Sequence, residues 1–137
     1  MSGNIIKLNT HITEHFYYNE EWIRCRCCNQ LAVTDLFFAH MKLLEELREA
    51  CGFAIQINSG FRCKAHNKEV GGAPSSMHLK FATDVQPEHL ENQSEEEYQR
   101  KLNLIRVNAR RLGFRGMGIY DSFTHLDLRR VKEEWRG

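Results

Sequence analysis

The sequence predicts an α+β fold, a small antiparallel sheet with helices packed on one face. Three observations lead there. Two long segments repeat apolar residues at helical spacing and end in glycine, short strand-like segments lie between and after them, and a Gly-, Pro- and Ser-containing stretch separates the first two strands. With 137 residues, 42% hydrophobic and 27% charged, the chain can bury one core and is too short to divide comfortably in two, so residues 1–137 are read as a single domain.

The first helix is predicted from Asp35 to Cys51. Thr34 is its N-cap, Leu36, Phe37, Met41, Leu44 and Leu47 recur at helical spacing, and Gly52 supplies the stop. In residues 53–60, FAIQINSG, Phe53, Ile55 and Ile57 alternate to one side, as in a half-buried strand. Residues 61–76, FRCKAHNKEVGGAPSS, read as a long loop, and a long loop inside a small domain is usually functional. FATDV, residues 81–85, is a short second strand. The second helix follows Ser94, with Glu97 completing a capping box, places Tyr98, Leu102, Ile105, Ala109 and Leu112 on one face and ends at Gly113. Its opposite face, rich in Glu, Lys and Arg, is expected in solvent. Residues 117–130, MGIYDSFTHLDLRR, read as two strands about a tight turn, and the closing VKEEWRG as an ordered edge or a frayed tail.

Nineteen basic side chains against eighteen acidic ones give no global field that would draw nucleic acid or an acidic membrane surface. The opening MSGNIIKLNTHITEHF lacks a basic n-region followed by an apolar h-region, and no run approaches the roughly 18 apolar residues of a membrane span, so neither a secretion signal nor a membrane partner is expected. Five cysteines are an odd set, which fits a reduced compartment with at least one free thiol.

His125 and Asp127 in THLDL share a strand face, while Thr124, Leu126 and Leu128 point to the other. Alone, the pair reads first as a surface strand with a His–Asp hydrogen bond. His78 and Asp84 change the weighing, because two imidazoles and a carboxylate on sheet elements beside one long loop match a three-ligand catalytic zinc with an open position for water. No HExxH is present, which excludes a thermolysin-like helix site.

The segments SGFRCKAHNKEVGGAPSSMHLKFATDV and GMGIYDSFTHLDLRR resemble the M15 zinc peptidases, in particular the D-alanyl-D-alanine carboxypeptidase-type domain with its S-G-[YF]-R, H-N, V-G-G, S-x-H-x-x-G-x-A-x-D and H-x-D pattern. The likeness runs from about Ser59 to Arg129 and implies a hedgehog/DD-peptidase-like fold, one that does not by itself prove peptidase activity. It implies His78, Asp84 and His125 as zinc ligands, Arg62 as the residue that grips a substrate carboxylate, and Ser76 as the serine beside the first ligand. A guanidinium fork suits a carboxylate, with a structural salt bridge as the alternative for Arg62.

The chain departs from this pattern in one place: five residues separate His78 from Asp84 where the pattern has six, as if the glycine between Lys80 and Phe81 were missing. Either the connection absorbs the deletion or the metal site is impaired. The proton acceptor is also open, because Ser122 stands where several relatives of the fold carry a carboxylate or imidazole. Asp127 is the first candidate, or else an acceptor that orients His125, and Asp121 is the second. His66 and Asn67 are read as loop-fixing partners. Cys25 and Cys28 form a C-x-x-C pair that could be half a structural zinc site, but no second pair at ligand spacing follows it, Cys51 and Cys63 are single, and buried thiols are the preferred reading. His11, His15, His40 and His89 are read as surface or capping residues.

The function these readings imply is zinc-dependent hydrolysis of D-amino-acid-containing peptide bonds in bacterial peptidoglycan, as a carboxypeptidase or as an endopeptidase of the endolysin kind, by a monomer acting on stem or cross-link peptides. A phage or prophage protein fits a wall target without a secretion signal. The competing expectation is a catalytically inactive binding module on the same fold.

Overall fold

The structure, a computed structural model, describes residues 11–18 and 23–137; the reading of the first ten residues lies outside the described residues. Helix α1 spans Asp35–Cys51, with Thr34 Oγ1 accepting from the Phe37 N–H at 3.2 Å. Its end is set by Gly52, whose φ of 75° costs glycine little. Strand β1 is Ile55–Ser59, helix α2 Lys64–Glu69, strand β2 Thr83–Pro87 and helix α3 Glu95–Leu112, the last opened by Ser94 Oγ accepting from the Glu97 N–H at 3.1 Å. Strands β3, Gly116–Ile119, β4, Thr124–Asp127, and β5, Glu133–Arg136, complete the chain. No helix among the described residues is long and apolar enough to cross a membrane.

The five strands form one sheet in the order β1-β2-β4-β3-β5. The first four pair antiparallel, as expected, but β5 runs parallel to β3, so the sheet is mixed. The chain reverses after β4, passes across the end of β3 and arrives pointing the same way as β3. The closing segment is therefore an ordered edge.

Strand alternation divides the sheet into two faces. Ile55, Ile57, Val85, Met117 and Leu126 point to one and enter a core with Phe37, Met41, Leu44 and Leu47 of α1 and Ile105 and Ala109 of α3. Burying a Leu side chain such as Leu44 or Leu47, both wholly inaccessible, contributes about 1.5–3 kcal/mol. The helices thus cover one face and leave the other to polar side chains.

Three readings are corrected. His40 is neither surface nor cap: it is fully buried on α1, its Nε2 is 2.9 Å from Thr83 Oγ1, and its ring meets those of Phe81 and Phe114 edge-on. Burial, with the charge of His125 behind it, pushes its pKa down to about 3, so it is neutral in the fold. Arg106, on the face of α3 assigned to solvent, is buried instead and donates to Thr124 Oγ1 at 2.6 Å and to the Phe123 carbonyl at 3.1 Å, tying α3 to the β3–β4 turn. Residues 61–76 are not wholly loop, because Cys63 caps α2 by accepting from the His66 N–H at 3.4 Å.

Candidate metal centre and substrate cleft

On the face away from the helices, the β2–β4 ladder sets Asp84 directly opposite His125, and the β3–β4 ladder sets glycines opposite the other polar residues, Gly118 to His125 and Gly116 to Asp127. His78 arrives from a 3-10 turn, Met77–Leu79, which Ser76 opens by accepting from the His78 N–H at 3.2 Å. Ligand atoms of His78, Asp84 and His125 all lie within 4.8 Å of one another, so the short connection does absorb the missing residue.

Each ring is held by its other nitrogen. His78 Nδ1 lies 2.7 Å from the Gly60 carbonyl oxygen and donates to it, which leaves Nε2, 3.4 Å from Asp84 Oδ2, as the nitrogen that a metal would take. His125 Nε2 lies 2.7 Å from Asp127 Oδ2, leaving Nδ1 facing Asp84 Oδ1 at 3.2 Å. Tetrahedral zinc with bonds of about 2.0–2.1 Å holds its donors about 3.3–3.4 Å apart, so two imidazole lone pairs and a carboxylate at these separations fit that ion. Burial works against charge on Asp84, yet the hydrogen bonds and charges of His125 and His78 outweigh it and hold its carboxyl well below the usual range. Burial likewise opposes protonation of His125, and the hydrogen bonds to Asp127 and Asp84 reverse it and raise its pKa.

The three side chains open onto a cleft of about 530 Å³ whose wall includes Arg62, Ser76, Glu133 and Trp135. Arg62 Nη1 donates to Asn67 Oδ1 at 2.9 Å, and among the described residues no carboxylate pairs with it, so the salt-bridge alternative for Arg62 is not what the fold makes. Asn67 is buried and fixes the loop by donating to the Ala73 carbonyl at 2.9 Å, as expected. Gly72 is required there: a Cβ would overlap the Asn67 side chain and come within 2.8 Å of Arg62 Nη1.

The two expected proton acceptors sit elsewhere. Asp127 is wholly buried behind His125 and accepts from Arg129 Nη2 at 2.6 Å and Nε at 2.9 Å. Asp121 is exposed on the β3–β4 turn, and neither residue lines the cleft. The carboxylates that do are Asp84 and Glu133, the latter held by Arg129 Nη1 at 2.7 Å. The sequence does not single out Glu133, because VKEEWRG reads equally as edge or tail; the two-residue spacing of Glu133 and Trp135, four and six residues after Arg129, is the signal it carries.

The family model for peptidase M15 matches residues 14–127, well over half of the chain. The chain belongs to the M15 peptidase family. A search of curated proteins finds no match to it. M15 peptidases are metal-dependent, and His78, Asp84 and His125 of this M15 domain form a group able to hold such an ion.

Proposed function

We propose that this M15 domain is a zinc peptidase that hydrolyses D-amino-acid-containing peptide bonds of bacterial cell-wall peptidoglycan, with His78, Asp84 and His125 as the metal ligands. The observation that carries the reading is the convergence of two oriented imidazole lone pairs and one carboxylate beside an arginine with no carboxylate partner. A zinc ion bound there supplies Lewis acidity toward the scissile carbonyl and lowers the pKa of water. Arg62 binds the substrate carboxylate bidentately, with Asn67 holding the guanidinium at the cleft wall. Ser76 fixes the turn that presents His78. Asp127 orients His125 through Nε2, and Glu133, the cleft carboxylate outside the ligand set, takes the proton from the attacking water.

The alternative of a silent binding module drew on the shortened His78–Asp84 connection, and the three side chains converge across it. Zinc content and cleavage decide together. Purified protein should carry zinc, release D-alanine from a D-alanyl-D-alanine terminus or cut intact stem peptides, and lose both zinc at this site and cleavage as His125→Ala. Zinc-loaded protein that cleaves neither substrate would overturn the peptidase reading.

A further inference from the structure

Four of the five cysteines meet in one place, away from the imidazoles. The Sγ atoms of Cys25, Cys27, Cys28 and Cys63 all lie within 4.8 Å of one another, with Cys25 to Cys27 at 3.6 Å and Cys27 to Cys63 at 3.2 Å. Zinc–sulfur bonds of about 2.3 Å in a tetrahedron separate sulfurs by about 3.8 Å, whereas a disulfide needs about 2.05 Å. None of the four is in a disulfide, and burial does not explain the group, since Cys27 and Cys28 are exposed. The expectation of buried thiols holds for Cys25 alone; Cys51 and Cys63 are half-buried, and Cys27 and Cys28 are exposed.

The backbone builds the arrangement. The Cys25 N–H donates to the Gln30 carbonyl at 2.9 Å and the Asn29 N–H to the Cys25 carbonyl at 2.8 Å, with Asn29 at a φ of 61°, so residues 25–30 close into a turn that carries three thiols. The fourth comes from a distant segment. The Phe61 N–H donates to the Ile23 carbonyl at 2.9 Å, and Gly60 lies so close to Ile23 that a Cβ would strike its backbone, which brings Cys63 alongside. Amides aim at the sulfurs: the Cys63 N–H reaches Cys25 Sγ and the His66 N–H reaches Cys63 Sγ, both at 3.4 Å.

We propose that Cys25, Cys27, Cys28 and Cys63 form a second metal centre, a structural zinc site of four thiolates that staples residues 23–30 to the loop carrying Arg62. Four thiolates saturate the ion and leave no position for water, so the site acts through the chain it holds. That chain includes the two contacts on which the cleft depends: Arg62 adjoins Cys63, and the Gly60 carbonyl fixes the tautomer of His78. Binding releases the thiol protons, so occupancy falls with acid.

Cobalt(II) distinguishes the two centres, because only a thiolate site gives sulfur-to-cobalt charge-transfer absorption in the near ultraviolet. The full chain, reduced and reconstituted with Co²⁺, should take up two equivalents; His125→Ala should take up one and keep the thiolate bands, while Cys63→Ser should keep the imidazole-site equivalent and hold the second more weakly, with weaker thiolate bands from its three remaining sulfurs. Should Cys63→Ser fail to fold, titration of folded His125→Ala with a mercurial must release its metal as the bands disappear. Metal uptake without thiolate bands, no uptake by folded His125→Ala, or a disulfide among the four in protein trapped with a thiol-blocking reagent would each overturn the proposal.

Discussion

Replacing Asp127 with Asn separates an orienting carboxylate from a proton acceptor. The native carboxylate is wholly buried and accepts from His125 Nε2 at 2.7 Å, Arg129 Nη2 at 2.6 Å, Arg129 Nε at 2.9 Å and the Arg129 N–H at 3.0 Å. Asparagine keeps the shape but offers one oxygen, so its amide NH₂ must face a donor on either His125 or Arg129. Removing one partner of a charge-assisted hydrogen bond costs about 1.5–3 kcal/mol. The larger cost of stranding a buried ion, about 3–5 kcal/mol, does not apply in full. Arg129 is 22% exposed and keeps Glu133 at 2.7 Å. Unfolding in urea should therefore show a loss of about 2 kcal/mol. The loss should shrink in acid: the Asp127 carboxyl is held below its usual range, against burial, by His125 and Arg129, so its contribution is present above an unfolded pKa of about 3.9 and fades as pH falls below that. With the His125 tautomer no longer enforced, zinc affinity should drop about 10- to 100-fold in competition with a chromophoric chelator. An Asn variant that binds zinc with native affinity while turnover falls about 10² to 10⁴-fold would refute this and make Asp127 the proton acceptor.

Glu133→Gln should lower turnover by about 10² to 10⁴-fold with zinc retained, and an unchanged rate would remove Glu133 from the proton path. His40→Gln tests the buried neutral imidazole: because its folded pKa is about 3, the unfolded chain gains a proton below about pH 6.5 that the fold refuses. Wild-type stability should thus fall with acid by up to about 1.4 kcal/mol per pH unit more steeply than that of the variant, and parallel denaturation profiles from pH 7 to pH 4 would contradict it. Gly72→Ala should displace Arg62 and Asn67 and weaken the grip on a carboxylate-bearing substrate, raising KM about 10-fold or more while zinc content stays native. An unchanged KM would detach Arg62 from substrate binding.

What could be read from the sequence was what local physics decides. Thr34, Gly52, Ser94 and Gly113 delimit both long helices where expected, because caps and left-handed termini are local events. The site face was legible for the same reason: alternation in THLDL and FATDV fixes which side His125, Asp127 and Asp84 occupy. Long-range pairing was not. Cys63 lies 36 residues from Cys27, and nothing local announces that Phe61 will bond to Ile23 and bring the thiols together. Arg106 read as solvated because charge on a helix face usually is, and only the β3–β4 turn, with the carbonyl of Phe123 and the hydroxyl of Thr124, provides for its burial. Glu133 needed the parallel β5 edge, which short charged segments do not reveal.

The shortened connection between His78 and Asp84 shows how core packing positions a candidate metal group. The β2–β4 ladder pins Asp84 opposite His125, so a lost residue must be absorbed before Thr83. A 3-10 turn advances about 2.0 Å per residue against about 1.5 Å for an α-helix, so Met77–Leu79 covers more distance for its length. Lys80 keeps a right-handed backbone, and the chain enters the strand through Phe81. With the pattern's glycine missing after Lys80, the chain enters the strand directly at Phe81, which is wholly buried with its ring 4.9 Å from those of both Phe37 and His40. A flexible residue would leave the start of β2 free to shift. An aromatic anchored against α1 removes that freedom and fixes the first residues of β2 from the core side, while Gly60 fixes His78 from the other side through Nδ1. The convergence of His78, Asp84 and His125 therefore tolerates a connection one residue short because both of its ends are held by packing and hydrogen bonds, and its reach does not depend on the slack of the loop.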